Sequence, residues 1–322
     1  MEKLNFIDIA KAIGIILVVI GHYYPDNTPA FYENFRTYLY SFHMPLFLFL
    51  SGCMYAYTKK EEPVVAFMKK KLKRLAIPYF VISILIISLK LLAQQGVYIE
   101  NGVDYFSFVR MLYMPEAGYF LWYLWVLLWM YLLCSFSNCK IYLYVLFLLS
   151  LLVKFIPEEF PRILCLHELK NEAAFFLLGA LFFREKLYLR FKETNLQIFF
   201  VVVFIACSFS YFAGFLDSGF IMSFIGTLGI YSLANLMNQG NHNVLLFIGK
   251  SSFIIYLFHT IFMGFVKSVI HKISDTMFVD NMLAFLISAM IVVISGLVFP
   301  LLLQEYFLKR HKLIGSIFGL RK

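Results

Sequence analysis

Apolar runs as long as Phe199–Phe215 and Met282–Leu303 leave a chain few options. The hydrocarbon core of a bilayer is about 30 Å thick, and a helix that crosses it needs about 20 mostly apolar residues. Within lipid only helices and closed barrels satisfy every backbone polar group. Barrel strands would alternate polar and apolar residues in pieces of about ten, and these runs do not alternate. The rest of the chain agrees: it is 61% hydrophobic and 15% charged. A water-soluble domain is nearer about 45–50% apolar and about 25% charged. The expected fold is all-α, a polytopic integral membrane helical bundle. No internal repeat or linker divides it, so residues 1–322 read as one membrane domain.

Ten spans are predicted, near 6–24, 39–57, 75–93, 119–136, 141–156, 172–184, 196–213, 219–237, 250–270 and 282–304. Loop charge gives them a direction, because cytoplasmic loops carry an excess of Lys and Arg. With the N-terminus inside, loop 58–74 holds Lys59, Lys60, Lys69, Lys70, Lys71, Lys73 and Arg74. Loop 185–195 holds Lys186, Arg190 and Lys192, and the tail holds Lys309, Arg310, Lys312, Arg321 and Lys322. The opposite loops hold Asp26, Glu33, Glu100, Asp104, Glu116, Glu158, Glu159, Glu168, Asp275 and Asp280. Both termini are therefore expected in the cytoplasm. Lys3 and Lys11 make a poor signal-peptide start and no small-residue cleavage site follows Val19, so the first span is expected to be retained.

The net charge of +9 is explained by these loops, and no basic stretch in a soluble domain points to nucleic acid. The five cysteines show no CxxC or Cys/His spacing, so neither a metal site nor a disulfide framework is expected.

Ionisable groups within a span are costly and usually face a cavity or a partner. The first span carries Asp8, Lys11 and His22, which share one helical side with Ile15 and Val18 between them. Lys11 and His22 stand eleven residues apart, about 16 Å along a helix axis. Asp8 and Lys11 thus belong near the inner end and His22 near the outer end. An interfacial ion pair and an interfacial histidine are the plainer alternatives.

The second span opens with Ser41-Phe42-His43-Met44-Pro45 and continues to Ser51-Gly52; Pro45 reads as part of the first helical turn. His43 is expected at the depth of His22. In the ninth span Ser252, Tyr256 and His259 stand at i, i+4 and i+7 on one face, with His259 expected near mid-membrane. The basic run Lys69–Arg74 precedes Ile77-Pro78-Tyr79. It serves either as a topology signal beside anionic lipid or as a site for a phosphorylated ligand.

These segments resemble the membrane-bound acyltransferase 3 family, and the start, Ile7 to His22, resembles its fucose 4-O-acetylase-like sugar O-acetyltransferases. The family mark is a basic residue, ten residues, then His; here it runs from Lys11 to His22. His43-Met44-Pro45 through Ser51-Gly52, Lys71-x-x-Arg74 before Pro78-Tyr79, and Ser252 through Tyr256 to His259 match in order. Leu121-Trp122-Tyr123-Leu124 is a weaker match. Lys11 stands where many members have Arg, and Lys71 takes one place of a common arginine pair. Lysine keeps the charge but loses the bidentate fork.

The resemblance implies transfer of an acyl group, usually acetyl from cytoplasmic acetyl-CoA. The acceptor would be a sugar hydroxyl of a surface glycan or its lipid-linked precursor, at a bacterial cytoplasmic membrane. Acetyl-CoA would be a cosubstrate, with no permanently bound cofactor and no metal. Lys71 and Arg74, with Lys11, would hold the donor; Lys11 would orient it or stabilise the developing thioester oxyanion, and Asp8 would fix Lys11. His22 would act as general base or become transiently acylated. His43 would orient His22 or the sugar. Trp122 and Tyr123 would stack on a sugar ring or simply anchor at the interface, and Ser51, Ser252, Tyr256 and His259 would line the pocket. The rival expectation is a glycan or lipid flippase, or a proton-coupled transporter, using the same histidines as a relay.

Overall fold

The computed structural model describes residues 4–25, 28–94, 102–136, 139–273 and 282–320, and no strand occurs among them. The helices are α1 (Asn5–Gly21), α2 (Ala30–Thr58), α3 (Val64–Ala93), α4 (Ser107–Arg110), α5 (Trp122–Ser135), α6 (Lys140–Lys154) and α7 (Leu166–Arg184). They continue with α8 (Leu187–Arg190), α9 (Thr194–Phe212), α10 (Phe220–Met237), α11 (Asn243–Lys250), α12 (Ser252–Ile273), α13 (Met282–Leu302) and α14 (Lys312–Ile317). Of the charges that set the expected orientation, Asp26, Glu100, Asp275, Asp280, Arg321 and Lys322 lie outside the described residues.

Six helical stretches are long and apolar enough to cross a membrane: Ala30–Thr58, Val64–Ala93, Thr194–Phe212, Phe220–Met237, Ser252–Lys272 and Met282–Leu308. The other four predicted spans also fall on helices. However, α1, α5 and α6 have only 17, 14 and 15 residues, and α7 begins with Glu168, Lys170 and Glu172. Outward faces are apolar, as lipid requires: Phe199, Val202, Ile205 and Phe209 on α9, and Leu283, Leu286 and Met290 on α13, are all exposed. In water a surface of that extent would drive association.

Three local expectations are corrected. The basic run read as loop 58–74 is largely helix, since α3 starts at Val64 behind Pro63, whose fixed φ suits the position before a helix. Likewise α2 starts at Ala30 behind Pro29 rather than near residue 39. Pro45 therefore lies deep inside α2, not in its first turn. A proline there cannot donate to the carbonyl four residues back, here Ser41, and Ser223 Oγ of α10 donates to that carbonyl instead at 2.5 Å. Pro78 similarly denies a helical donor to the carbonyl of Arg74.

α1 runs through the middle of the bundle. It packs against α2 and α10 on one side, α12 and α13 on another, and α11 at its N-terminal end. Its stripe of Ile15 and Val18 is buried, so the side shared by Asp8, Lys11 and His22 points inward. Small residues let helices close without the hydrophobic drive that water gives. At Gly52 of α2 an added Cβ would lie 1.9 Å from the Phe176 carbonyl oxygen, and at Gly179 of α7 one would lie 2.0 Å from that of Phe49. These two glycines bring α2 and α7 into backbone contact. Gly249 of α11 does the same against the carbonyl of Asp8.

Candidate active site

The last carbonyls of a helix have no helical partners. At the end of α1, side chains from α2 and α12 take them up. Tyr32 Oη donates to Ile20 O at 2.7 Å and Arg36 Nε to Gly21 O at 2.9 Å. Just beyond, Lys267 Nζ donates to Tyr24 O at 3.0 Å. His22 occupies the cap position itself, where the helix dipole favours positive charge.

A cavity of about 410 Å³ opens here, lined by His22, Tyr23, Tyr24, Arg36, Thr260, Met263, Gly264, Lys267 and Val292. No carboxylate is among them. The half-buried His22 makes no side-chain hydrogen bond among the described residues, so its ring nitrogens are open to whatever enters. Thr260 Oγ1 is buried without a partner.

The His22 ring is held from behind by aromatic edges. Its centroid is 4.9 Å from that of His259, 5.9 Å from Tyr40 and 6.1 Å from Phe120. His259 is fully buried. Its Nδ1 faces the carbonyls of Ile255 at 3.0 Å and Tyr256 at 2.8 Å. Both are acceptors, so Nδ1 carries the proton and Nε2 keeps a lone pair in the neutral ring. That Nε2 is buried without a partner. His43 is fixed in the same way, with Nδ1 donating to Leu39 O at 2.6 Å. Tyr40 stands between the two systems, its ring 4.7 Å from that of His43.

A string of hydroxyls and rings continues from His259 toward the other end of the bundle. Tyr256 Oη donates to Phe120 O at 2.7 Å, and the Tyr256 ring lies 5.5 Å from that of Tyr123. Tyr123 Oη pairs with Ser51 Oγ at 2.8 Å. Arg74 stands within electrostatic reach of Tyr123, Tyr131, Lys71 and Lys11. Lys71 Nζ sits over the Tyr131 ring at 3.9 Å, a cation–π contact. Lys11 and Asp8 form an ion pair at 3.5 Å. Three cations thus gather near the α1 N-terminal end, a charge arrangement suited to phosphate.

The structure brings most of the predicted residues together, though not as pictured. The ring nearest His22 among the described residues is His259, not His43, and the two rings lie at one level of the bundle. Tyr123 is buried inside the bundle with its hydroxyl taken by Ser51, and neither it nor Trp122 lines the cavity beside His22. Ser252 is buried at the first position of α12. Sequence reasoning missed Arg36, Tyr40, Thr260 and Lys267. The signal for two of them was present: Arg36 is basic in a loop on the predominantly acidic side, which also holds Arg110, Arg162, Lys170 and Lys272, and Lys267 is an ionisable group inside the predicted span 250–270.

A family model described as an acyltransferase domain matches residues 4–303, which includes every residue of both clusters. No curated protein and no solved structure matches the chain.

Proposed function

Because the chain belongs to the acyltransferase 3 family, we propose that it moves an acetyl group from cytoplasmic acetyl-CoA to a sugar hydroxyl on the far side of a bacterial inner membrane. The acceptor in this reading is a surface polysaccharide or its lipid-linked precursor. In this reading ten helices, six of them long and apolar enough to span on their own, cross the membrane alternately and both termini face the cytoplasm. The observation that carries the reading is His22: an imidazole on the wall of a cavity, braced by rings and bonded to no protein group among the described residues.

Lys71 and Arg74, with Lys11, bind the CoA phosphates, and Asp8 steadies Lys11. The pantetheine arm covers the roughly 16 Å of helix between Lys11 and His22, passing the Tyr123–Ser51 pair. The acceptor hydroxyl enters the cavity at His22. A bare ring nitrogen of His22 takes the hydroxyl proton as the oxygen attacks the thioester carbonyl carbon. The new C–O bond forms, the C–S bond breaks, and the thiolate of CoA leaves to take up a proton. General-base help of this kind contributes roughly 10²–10⁴-fold. The orphaned Nε2 of His259, on a ring whose centroid lies 4.9 Å from that of His22, would accept an N–H from His22 as positive charge develops there. His43, held by Leu39 and packed edge-to-face against Tyr40, limits the motion of the same wall.

The test is transfer of radiolabel from acetyl-CoA into envelope glycan by membranes containing the chain, set beside His22→Ala with correct insertion verified. Labelling within a fewfold of wild type in the variant sinks the catalytic assignment. Movement of unmodified glycan without labelling sinks the acyltransferase reading itself.

A further inference from the structure

We infer that the cavity at His22 reads a negative charge on its acceptor: the sugar carries a carboxylate or a phosphoryl group next to the hydroxyl that is acylated. This deepens the acyltransferase reading and rests on it.

The argument starts from the sign of the lining. Among the described residues that line the cavity two are cations, Arg36 and Lys267, and none is a carboxylate. Neutral sugars are bound by amide, hydroxyl and carboxylate groups that exchange hydrogen bonds with their hydroxyls. Guanidinium and ammonium groups can only donate, and they suit oxyanions. The half-buried Arg36 has no carboxylate partner among the described residues. Its guanidinium lies 4.3 Å from the Tyr24 ring centroid and 4.7 Å from that of Tyr40, and Nε is committed to Gly21 O.

Helix capping alone is the simpler role for this arginine. Capping uses one of the five N–H donors of a guanidinium. The rings then hold the plane fixed, so the remaining donors are pre-organised rather than mobile, which lowers the entropy lost on binding an anion.

Two further features point to a ligand. Thr260 Oγ1 is buried and unpartnered in the same wall, a group that an acceptor oxygen would satisfy. The imidazole of His22 is the neighbour of these donors, so an anion on Arg36 brings the adjoining hydroxyl toward the base. Lys267, one helix away on α12, supplies a second positive charge on the same cavity. The chemistry recognised is therefore an oxyanion within one sugar unit of the reacting hydroxyl.

The experiment uses the full chain in lipid nanodiscs and reads occupancy of the cavity, independently of turnover. Diethyl pyrocarbonate modifies open imidazole nitrogens, and peptide mass spectrometry follows His22. Three probes share one ring: methyl glucoside, methyl glucuronide and glucose 1-phosphate. The anionic probes should protect His22 at about tenfold lower concentration than the neutral one, the factor that one charge-assisted hydrogen bond supplies. Comparing the two anions separates a carboxylate acceptor from a phosphorylated one. Arg36→Gln and Lys267→Met should each reduce that preference, while Arg36→Lys, which keeps the charge and tests for a merely structural loss, should retain part of it. Equal protection by methyl glucoside, or no protection by either anion, overturns the inference. Labelling of glycan from acetyl-CoA in the same preparation keeps the two claims apart. Anion selectivity without labelling refutes the acyltransferase reading, and labelling without anion selectivity refutes the pocket.

Discussion

Replacing His259 with leucine should slow transfer without weakening the fold, and the structure sets both magnitudes. The imidazole is fully buried, and its Nδ1–H reaches two carbonyls of its own helix, those of Ile255 and Tyr256. Such a shared bond contributes about 0.5–1.5 kcal/mol net. Against it stands Nε2, buried with no partner, and an orphaned buried acceptor costs about 1–3 kcal/mol. Leucine removes both. The variant should therefore lie between about 0.5 kcal/mol less stable and about 2.5 kcal/mol more stable than wild type.

Activity should move the other way. If Nε2 accepts an N–H from His22 once that ring has taken the acceptor's proton, the lost bond is one to a charged group, about 1.5–3 kcal/mol. That corresponds to a rate lowered roughly 10- to 150-fold. The assay is the initial rate of acetyl-CoA-dependent glycan labelling, with the thermal unfolding midpoint measured in the same lipid. A rate within threefold of wild type would refute the role given to His259. So would a parallel fall in rate and midpoint, because the ring would then be part of the packing and nothing more.

Three other perturbations test separate parts of the argument. Lys71→Glu with Arg74→Glu should weaken acetyl-CoA binding at least about tenfold, read by calorimetry on the solubilised chain, since both cations of the inner cluster become repulsive. Gly52→Leu should prevent α2 and α7 from closing and abolish the monodisperse species on size exclusion, because even the first added carbon would lie 1.9 Å from the Phe176 oxygen. Ser223→Ala should cost about 1–3 kcal/mol by stranding the Ser41 carbonyl. Pro45→Ala in that background should recover part of the loss, by returning a backbone N–H to the same oxygen.

The positions of the long helices were legible because lipid-facing runs leave little else to form. Their ends were not. The basic residues 69–74 and the polar, aromatic residues 30–38 carry no apolar signal, so hydropathy stops at residues 75 and 39. The backbone has no reason to stop there: Pro63 and Pro29 set the true starts, and α3 and α2 extend beyond the apolar stretch. Pro45 was misread for the same reason, its place in the helix being judged from a start that was nine residues late. Spacing along one helix was legible as well. Asp8, Lys11 and His22 do share the inward side of α1, and Tyr256 and His259 do face one site. What no spacing could supply was the meeting of His22 with His259, 237 positions later, which depends on α12 packing against α1. Nor could it show that Tyr123 turns its hydroxyl to Ser51.

Two of the residues that run against the charge pattern line the site. The expected orientation rests on counting Lys and Arg, and such a count treats Arg36 and Lys267 as two among several exceptions on the acidic side. In the folded bundle the two exceptions converge at one end of α1, where helix carbonyls and aromatic faces make a cation easy to hold. Positive groups in that position would raise the local concentration of an anionic acceptor beside His22, and no carboxylate is among the described lining residues. The loop charge asymmetry and the local reversal of it at His22 are therefore separate features of the sequence. The first is legible by counting; the second acquires its meaning only from the cavity.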